Sequence, residues 1–277
     1  MFGVSLGLRL EHFALVGKRP LELLAGAATQ IILLPAMTLL LVMALDPAPS
    51  LALGMIVVAC CPGGASSNFL SFLARGDVAY SVALTATSSL AAAFLTPVSI
   101  LFWSGLYPPT AALLAAIAAE PQAFLAQTTL LLAAPLFLGM AAVRFAPAFA
   151  ARARPHVGRV GAALLIGVIL YGTAQILPAL AGALGAVVPL AALHNAAAFL
   201  LGAAAGRLIG AAPATRRALT IEIGVQNSGL ALTILLAGLE GLGGATAIAA
   251  VWGVWHFVGG GVTVLVYRML DARRGRS

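Results

Sequence analysis

A chain of 277 residues that is 62% hydrophobic and 8% charged is not a soluble domain, because a water-facing surface takes about 25% charged residues. In a soluble protein the net charge of +7 would suggest nucleic acid, but in so apolar a chain basic residues are expected on the cytoplasmic loops between membrane spans. The two cysteines, Cys60 and Cys61, are adjacent within an apolar run, so no disulfide framework is expected. Neither a cleavable signal peptide nor a separate soluble domain is expected.

A membrane helix needs ~20 apolar residues, and backbone in lipid must bond internally, so spans are helices or closed barrels. Long runs rich in Ala, Leu and Gly favour helices over ten-residue alternating strands. Met1–Leu10 is apolar but reaches only ~15 Å as a helix, about half a bilayer. It reads as the second half of a helix whose start is misassigned or truncated, or else as an interfacial helix. Then come Leu23–Leu45, after the basic turn Lys18-Arg19-Pro20, and Pro47–Ala74. Val78–Leu106 is closed by Pro108 and Pro109, and Pro121–Val143 follows Glu120. A basic loop carries Arg144, Arg152, Arg154 and Arg159. Val160–Gly206 has room for two helices, with a break expected near Pro178–Pro189. A second basic loop ends at Arg216 and Arg217, before Ala218–Leu239 and Gly241–Tyr267. The expectation is an all-α polytopic membrane protein, with eight full spans and a partial first helix in one transmembrane domain over 1–277.

Charge tests that count. Alternate loops hold Asp46, Glu120 and Glu240 and no Lys or Arg, while all 15 basic residues fall on the other side. That side is expected to be cytoplasmic, with the C-terminal tail 269–277, and the membrane to be the plasma (inner) membrane.

An ionisable residue mid-span costs roughly 2.5–3.5 kcal/mol on insertion scales and marks function by default. Glu222 is the clear acid of this kind. Gln226 lies four residues on, one turn along the same face, and Gly224 and Gly229 allow the helix to loosen and free carbonyls. Such oxygen-rich groups suit a hard cation. Amides gluing neighbouring helices would explain the stretch without the acid. A second cluster is Cys60-Cys61-Pro62-Gly63-Gly64-Ala65-Ser66-Ser67-Asn68. Pro62, Gly63 and Gly64 predict a break, and the half-helix from Ser66 would present its positive end to an anion. A plain proline kink is the alternative. The next span adds Ser81, Thr85, Thr87, Ser88 and Ser89, of which Thr85 lies one turn after Ser81; hydroxyls of this kind often bond their own backbone. His194 and His256 sit on different spans and are expected to be hydrogen-bond partners rather than metal ligands. No other metal, no cofactor and no enzymatic chemistry is expected, since no nucleophile–base pair or phosphate loop stands out.

The halves echo each other. A span bearing Gln30, a broken helix and a Ser/Thr helix recur as a span with His194 and Asn195, the Glu222 helix and one with His256. Two further spans lie between, so the second unit enters from the opposite side, the pattern of inverted-repeat transporters. The first repeat covers about 1–107 and the second about 121–268.

CCPGGASSN, then FLARGDVAYSVALTATSSL and a Thr-Pro, LHN at 193–195, TIEIGVQNSGLA and VWH resemble the bile acid:sodium symporter family, in order and across essentially the whole chain. The resemblance implies ten helices in two inverted five-helix repeats, split into core and panel domains, with two broken helices crossing. Against it the chain lacks the first helix and much of the second. It implies one sodium ion on Ser67, Asn68, Ser81, Thr85 and Glu222, and another on Gln30, Glu222, Gln226 and the carbonyls of Ile223 and Val225. It implies a substrate cavity at Ala65, Ser66, Asn227 and His256. Ala65 replaces the family's Thr and Phe257 its Asn, which touches substrate identity rather than sodium. The expected function is sodium-coupled symport of a small organic anion by a monomer, by alternating access, with no nucleic-acid partner. The alternatives are a proton-coupled carrier or exporter of the same architecture and a non-transporting truncated homologue.

Overall fold

The computed structural model describes residues 2–6, 14–117, 121–239 and 242–274. Arg9, Glu120, Glu240 and Arg276, used above to orient the chain, lie outside them. The described residues contain helices and no named strand; the exception to helical pairing is one isolated antiparallel bridge, Gly63 with Gln226.

In chain order the helices are α1 (Phe2–Ser5), α2 (Ala14–Lys18), α3 (Pro20–Leu45, with a π turn at Thr29–Leu33), α4 (Pro49–Ala59), α5 (Ser66–Leu73), α6 (Val78–Gly105), α7 (Pro108–Ile117), α8 (Pro121–Phe145), α9 (Pro147–Leu208), α10 (Pro213–Gly224), α11 (Ser228–Gly238) and α12 (Gly243–Arg274). Five stretches are long and apolar enough to cross a membrane: α3, α6, α8, Gly185–Leu208 of α9 and Gly243–Arg273 of α12. The other apolar helices, Pro49–Ala59 and Ser228–Ala237, are each one arm of a broken helix, paired with α5 and α10. Both breaks expected from Pro62-Gly63-Gly64 and from Gly224 are therefore present.

Four boundaries differ from expectation. The prolines at 108 and 109 start α7 rather than only closing the span before it, because a first-turn proline forfeits no helical hydrogen bond. For the same reason α10 begins at Pro213 and takes Arg216 and Arg217 into its first turns, where a loop was expected. Where two spans divided near Pro178–Pro189 were expected, the backbone is helical from Pro147 to Leu208. An internal proline removes one hydrogen bond without forcing a loop. At 1.5 Å per residue this stretch would reach about 93 Å if straight, three times the hydrocarbon thickness. Finally, α12 continues past residue 269 to Arg274, where a tail was expected. Its last turns are tied down: Tyr267 Oη donates to Thr220 Oγ1 at 3.0 Å, Arg268 Nε to the Leu73 carbonyl at 2.7 Å, and Arg217 Nη1 to Asp271 at 2.9 Å.

Small residues let the helices touch, as in membrane packing generally. A Cβ on Gly202 of α9 would stand 2.8 Å from the Leu219 carbonyl of α10, and Gly54 of α4 lies against Ala245 and Ile248 of α12. Large apolar side chains such as Leu40, Phe102, Leu138 and Val262 are exposed and form the lipid-facing surface. At one end of the bundle Arg19 joins the starts of three helices, pairing with Asp77 at 2.6 Å and Glu22 and donating to Thr215 Oγ1 at 2.6 Å. At the end of α3, Asp46 accepts from Tyr107.

Candidate functional site

The first break begins where Pro62 withholds an amide. The Cys60 carbonyl is taken by Thr96 Oγ1 at 2.8 Å, from the residue before Pro97 in α6. Cys60 and Cys61 are free thiols, buried, as the spacing suggested. The second break begins at Val225, whose backbone is extended (φ −119°, ψ 94°), and ends at Asn227, whose side chain caps α11 by accepting from the Leu230 amide at 3.0 Å. The breaks cross and complete each other: the Asn227 amide donates to the Pro62 carbonyl at 2.9 Å, and the Gly64 amide to the Val225 carbonyl at 3.0 Å. Unwound backbone is tolerated at membrane depth only when protein or cavity water satisfies it; here part of that requirement is met by the opposite break.

Glu222, fully buried, lies beside the crossing. Its Oε1 accepts from Ser67 and Ser81, and its Oε2 from Thr85 at 2.8 Å. Asn68 Oδ1 stands 2.9 Å from Ser81 Oγ and 3.4 Å from Thr85 Oγ1. Six oxygens from α5, α6 and α10 thus share three hydroxyl protons. Lone pairs outnumber protons, which is the donor set a hard cation completes. All five side chains expected for the first ion are together.

On the other face of the crossing Gln30 Nε2 donates to Gln226 Oε1 at 3.2 Å, and Gln226 Nε2 to the Ile223 carbonyl at 2.7 Å. Gln30 is 1% exposed and its Oε1 has no hydrogen-bond partner among the described residues. It projects from the π turn of α3, a feature frequent at functional sites. Gly63 lies against both groups: a Cβ there would lie 2.8 Å from Glu222 Oε2 and 3.1 Å from Gln30 Nε2. Glu222 therefore borders both. The Ile223 and Val225 carbonyls, expected as ligands, are engaged here with Gln226 Nε2 and the Gly64 amide.

Among the described residues, the four expected substrate residues are not linked by side-chain hydrogen bonds as the Glu222 cluster is. Ala65 is exposed and Ser66 half-exposed at the start of α5, Asn227 is half-buried and caps α11, and His256 is 3% exposed against the ring of Phe257. His194 is a hydrogen-bond partner as expected: its Nε2 lies 2.7 Å from Thr38 Oγ1, and its ring packs on Trp252. His256, expected to be one too, has no partner on either ring nitrogen among the described residues. Among the described residues no three His, Cys, Asp or Glu gather as a metal cluster. Thr87 and Ser88 bond backbone of their own helix. Sequence reasoning missed the roles of Thr96 and Asn195 at the breaks. Their signal was a polar side chain at the depth where broken backbone needs partners.

This arrangement can be set against known proteins. A model of the sodium bile acid symporter family matches residues 1–181. The chain belongs to the sodium bile acid symporter family. It is 29% identical over 263 residues to an "Uncharacterized sodium-dependent transporter" of Bacillus subtilis (strain 168), covering 94% of this chain and 78% of the relative. It is 32% identical over 274 residues to a chloroplastic "Probable sodium/metabolite cotransporter" of Oryza sativa subsp. japonica, covering 98% of this chain but 64% of the relative. It is 27% identical over 241 residues to the human ileal sodium/bile acid cotransporter, covering 85% and 66%. Family and apolar helices together make this a multi-pass integral membrane protein.

Proposed function

We propose that the chain is a sodium-coupled symporter of an organic anion. The observation that carries this is Glu222, a fully buried carboxylate among side-chain oxygens that outnumber their protons. Relatives named as sodium cotransporters support it. One sodium ion would take Ser67, Asn68, Ser81, Thr85 and Glu222. A second would take Gln30, Glu222 and Gln226, with the Ile223 and Val225 carbonyls turning from their present partners. Two cations against one carboxylate leave a positive excess, which an anion near the start of α5 at Ser66 would offset. Sodium binding would hold the two breaks crossed and so raise anion affinity, reciprocally.

The wider reading is eight full spans in inverted repeats, moving by alternating access in a plasma membrane. The basic end, with Arg19, Arg75 and Arg217, would face the cytoplasm. A small metabolite anion suits this chain better than a bulky one.

The test is uptake into proteoliposomes under an imposed sodium gradient. Glu222→Gln and Gln226→Ala should abolish sodium-dependent uptake while the protein still inserts. Uptake unaffected by replacing sodium with choline would refute the proposal, and uptake driven by a pH gradient alone would point to proton coupling.

A further inference from the structure

The second break is held from outside the crossing as well as from within it. In a continuing helix the Ser228 amide would serve the Gly224 carbonyl, but it turns instead to the Gln226 carbonyl at 3.0 Å. The Gly224 carbonyl is taken by Asn195 Nδ2 of α9 at 2.8 Å. Asn195 is 1% exposed. Its Oδ1 has no partner among the described residues and lies against Gly259 of α12, where even a Cβ would collide with it. The amide is thus wedged between two backbones.

Asn195 heads a stripe along α9. Phe199 places its ring where a Gly224 Cβ would be, Gly202 meets Leu219, and Gly206 meets Arg216. Steps of four, three and four residues put all four on one helix face. Helix α10 lies along this stripe from its first turn to its last, and Asn195 grips its end. The Gly224 peptide sits between the Ile223 and Val225 carbonyls, so fixing its direction constrains both. Through Ile223 it also constrains Gln226, whose Nε2 bonds that carbonyl at 2.7 Å.

We infer that Asn195 is a positioning residue for the Gln30–Gln226 half of the cation site, acting through the Gly224 peptide without touching the ion. This rests on the sodium reading above. Asn195→Leu keeps the approximate shape and removes the donor without adding a charge, and Asn195→Ala removes both shape and donor. The full chain is purified in detergent and its melting temperature followed against NaCl, with choline chloride holding ionic strength constant. The sodium midpoint should rise about fivefold or more, a modest coupling between sites, in addition to whatever sodium-free stability the lost bond to the buried Gly224 carbonyl removes. A sodium midpoint equal to that of wild type overturns the inference. So does a loss of sodium-free stability with the midpoint unmoved, which marks a purely structural role. If Asn195→Ala fails to insert, Asn195→Leu and Asn195→Ser carry the same comparison. A wild type indifferent to sodium overturns the sodium reading and this inference with it, whereas a responsive wild type with equally responsive variants overturns this inference alone.

Discussion

Gly63→Ala places one methyl group against both halves of the site. The new Cβ would lie 2.8 Å from Glu222 Oε2, too close to stand, so the carboxylate must shift, and 3.1 Å from Gln30 Nε2, which need give only slightly. Gln30 has a single side-chain bond, to Gln226 at 3.2 Å, whereas Glu222 is held by three hydroxyls. Moving the carboxylate gives up at least the Thr85 bond to Oε2. A hydrogen bond to a charged group is worth about 1.5–3 kcal/mol, which corresponds to about 10- to 100-fold in affinity. The variant should therefore need about 10- to 100-fold more sodium for half-maximal stabilisation in a melting assay, and for half-maximal uptake. Gly105→Ala is the control, because nothing lies within 4 Å of a Cβ there. A Gly63→Ala protein that inserts and titrates with sodium like wild type would refute the placement of Glu222 and Gln30 against this glycine.

Asp77 makes stability depend on acid. Burial would raise its pKa, but the Tyr80 amide and the Arg19 guanidinium outweigh burial and hold it below the usual carboxylate range. A depressed carboxylate contributes stability above its unfolded value, about 3.9, and loses it as pH falls through the folded value. The melting temperature should be level from about pH 5 to 8 and fall below about pH 4; Asp77→Asn should lower it at neutral pH and flatten the acid fall, and an unchanged acid fall would sink this account. Thr96→Val removes the donor to the buried Cys60 carbonyl and should cost about 1–3 kcal/mol of stability. Ser99→Ala, which loses only a 3.3 Å contact to Cys60 Sγ, should cost less; equal losses in chemical denaturation would contradict that ranking.

What was legible in the sequence is what chain chemistry dictates locally. Pro62 with two glycines, and Gly224 beside a buried acid, announce breaks because a proline withholds a helical hydrogen bond and a glycine lets the helix loosen. The spacing of Ser81, Thr85, Glu222 and Gln226 placed them on inward faces, and the structure brings them together. Less legible was what depends on a neighbouring helix. Charge-free runs marked the apolar interior but not the helix ends, so α10 was expected to start after Arg216 and Arg217 rather than at Pro213. The π turn around Gln30 has no composition signal, since it depends on which carbonyls the following turn reaches. Asn195 and Thr96 were visible as polar residues, but their roles follow from which carbonyl faces them across a helix interface.

The two broken helices depend on each other. Pro62 O and Gly64 N of the first break are paired with Asn227 N and Val225 O of the second. If either break straightened or withdrew, two buried polar groups of the other would be left without partners, each at a cost of about 1–3 kcal/mol. The carboxylate depends on the same crossing, since its three hydroxyl donors come from α5 and α6 while Glu222 itself is on α10. The oxygen cluster around Glu222 and the crossing are therefore one structure. A cation that binds Glu222 and the side chains around it stabilises the crossed arrangement, and any motion that separates the breaks also dismantles the site. Were an ion held there, its release and the backbone rearrangement could not be independent events, which is the dependence a coupled transporter would require.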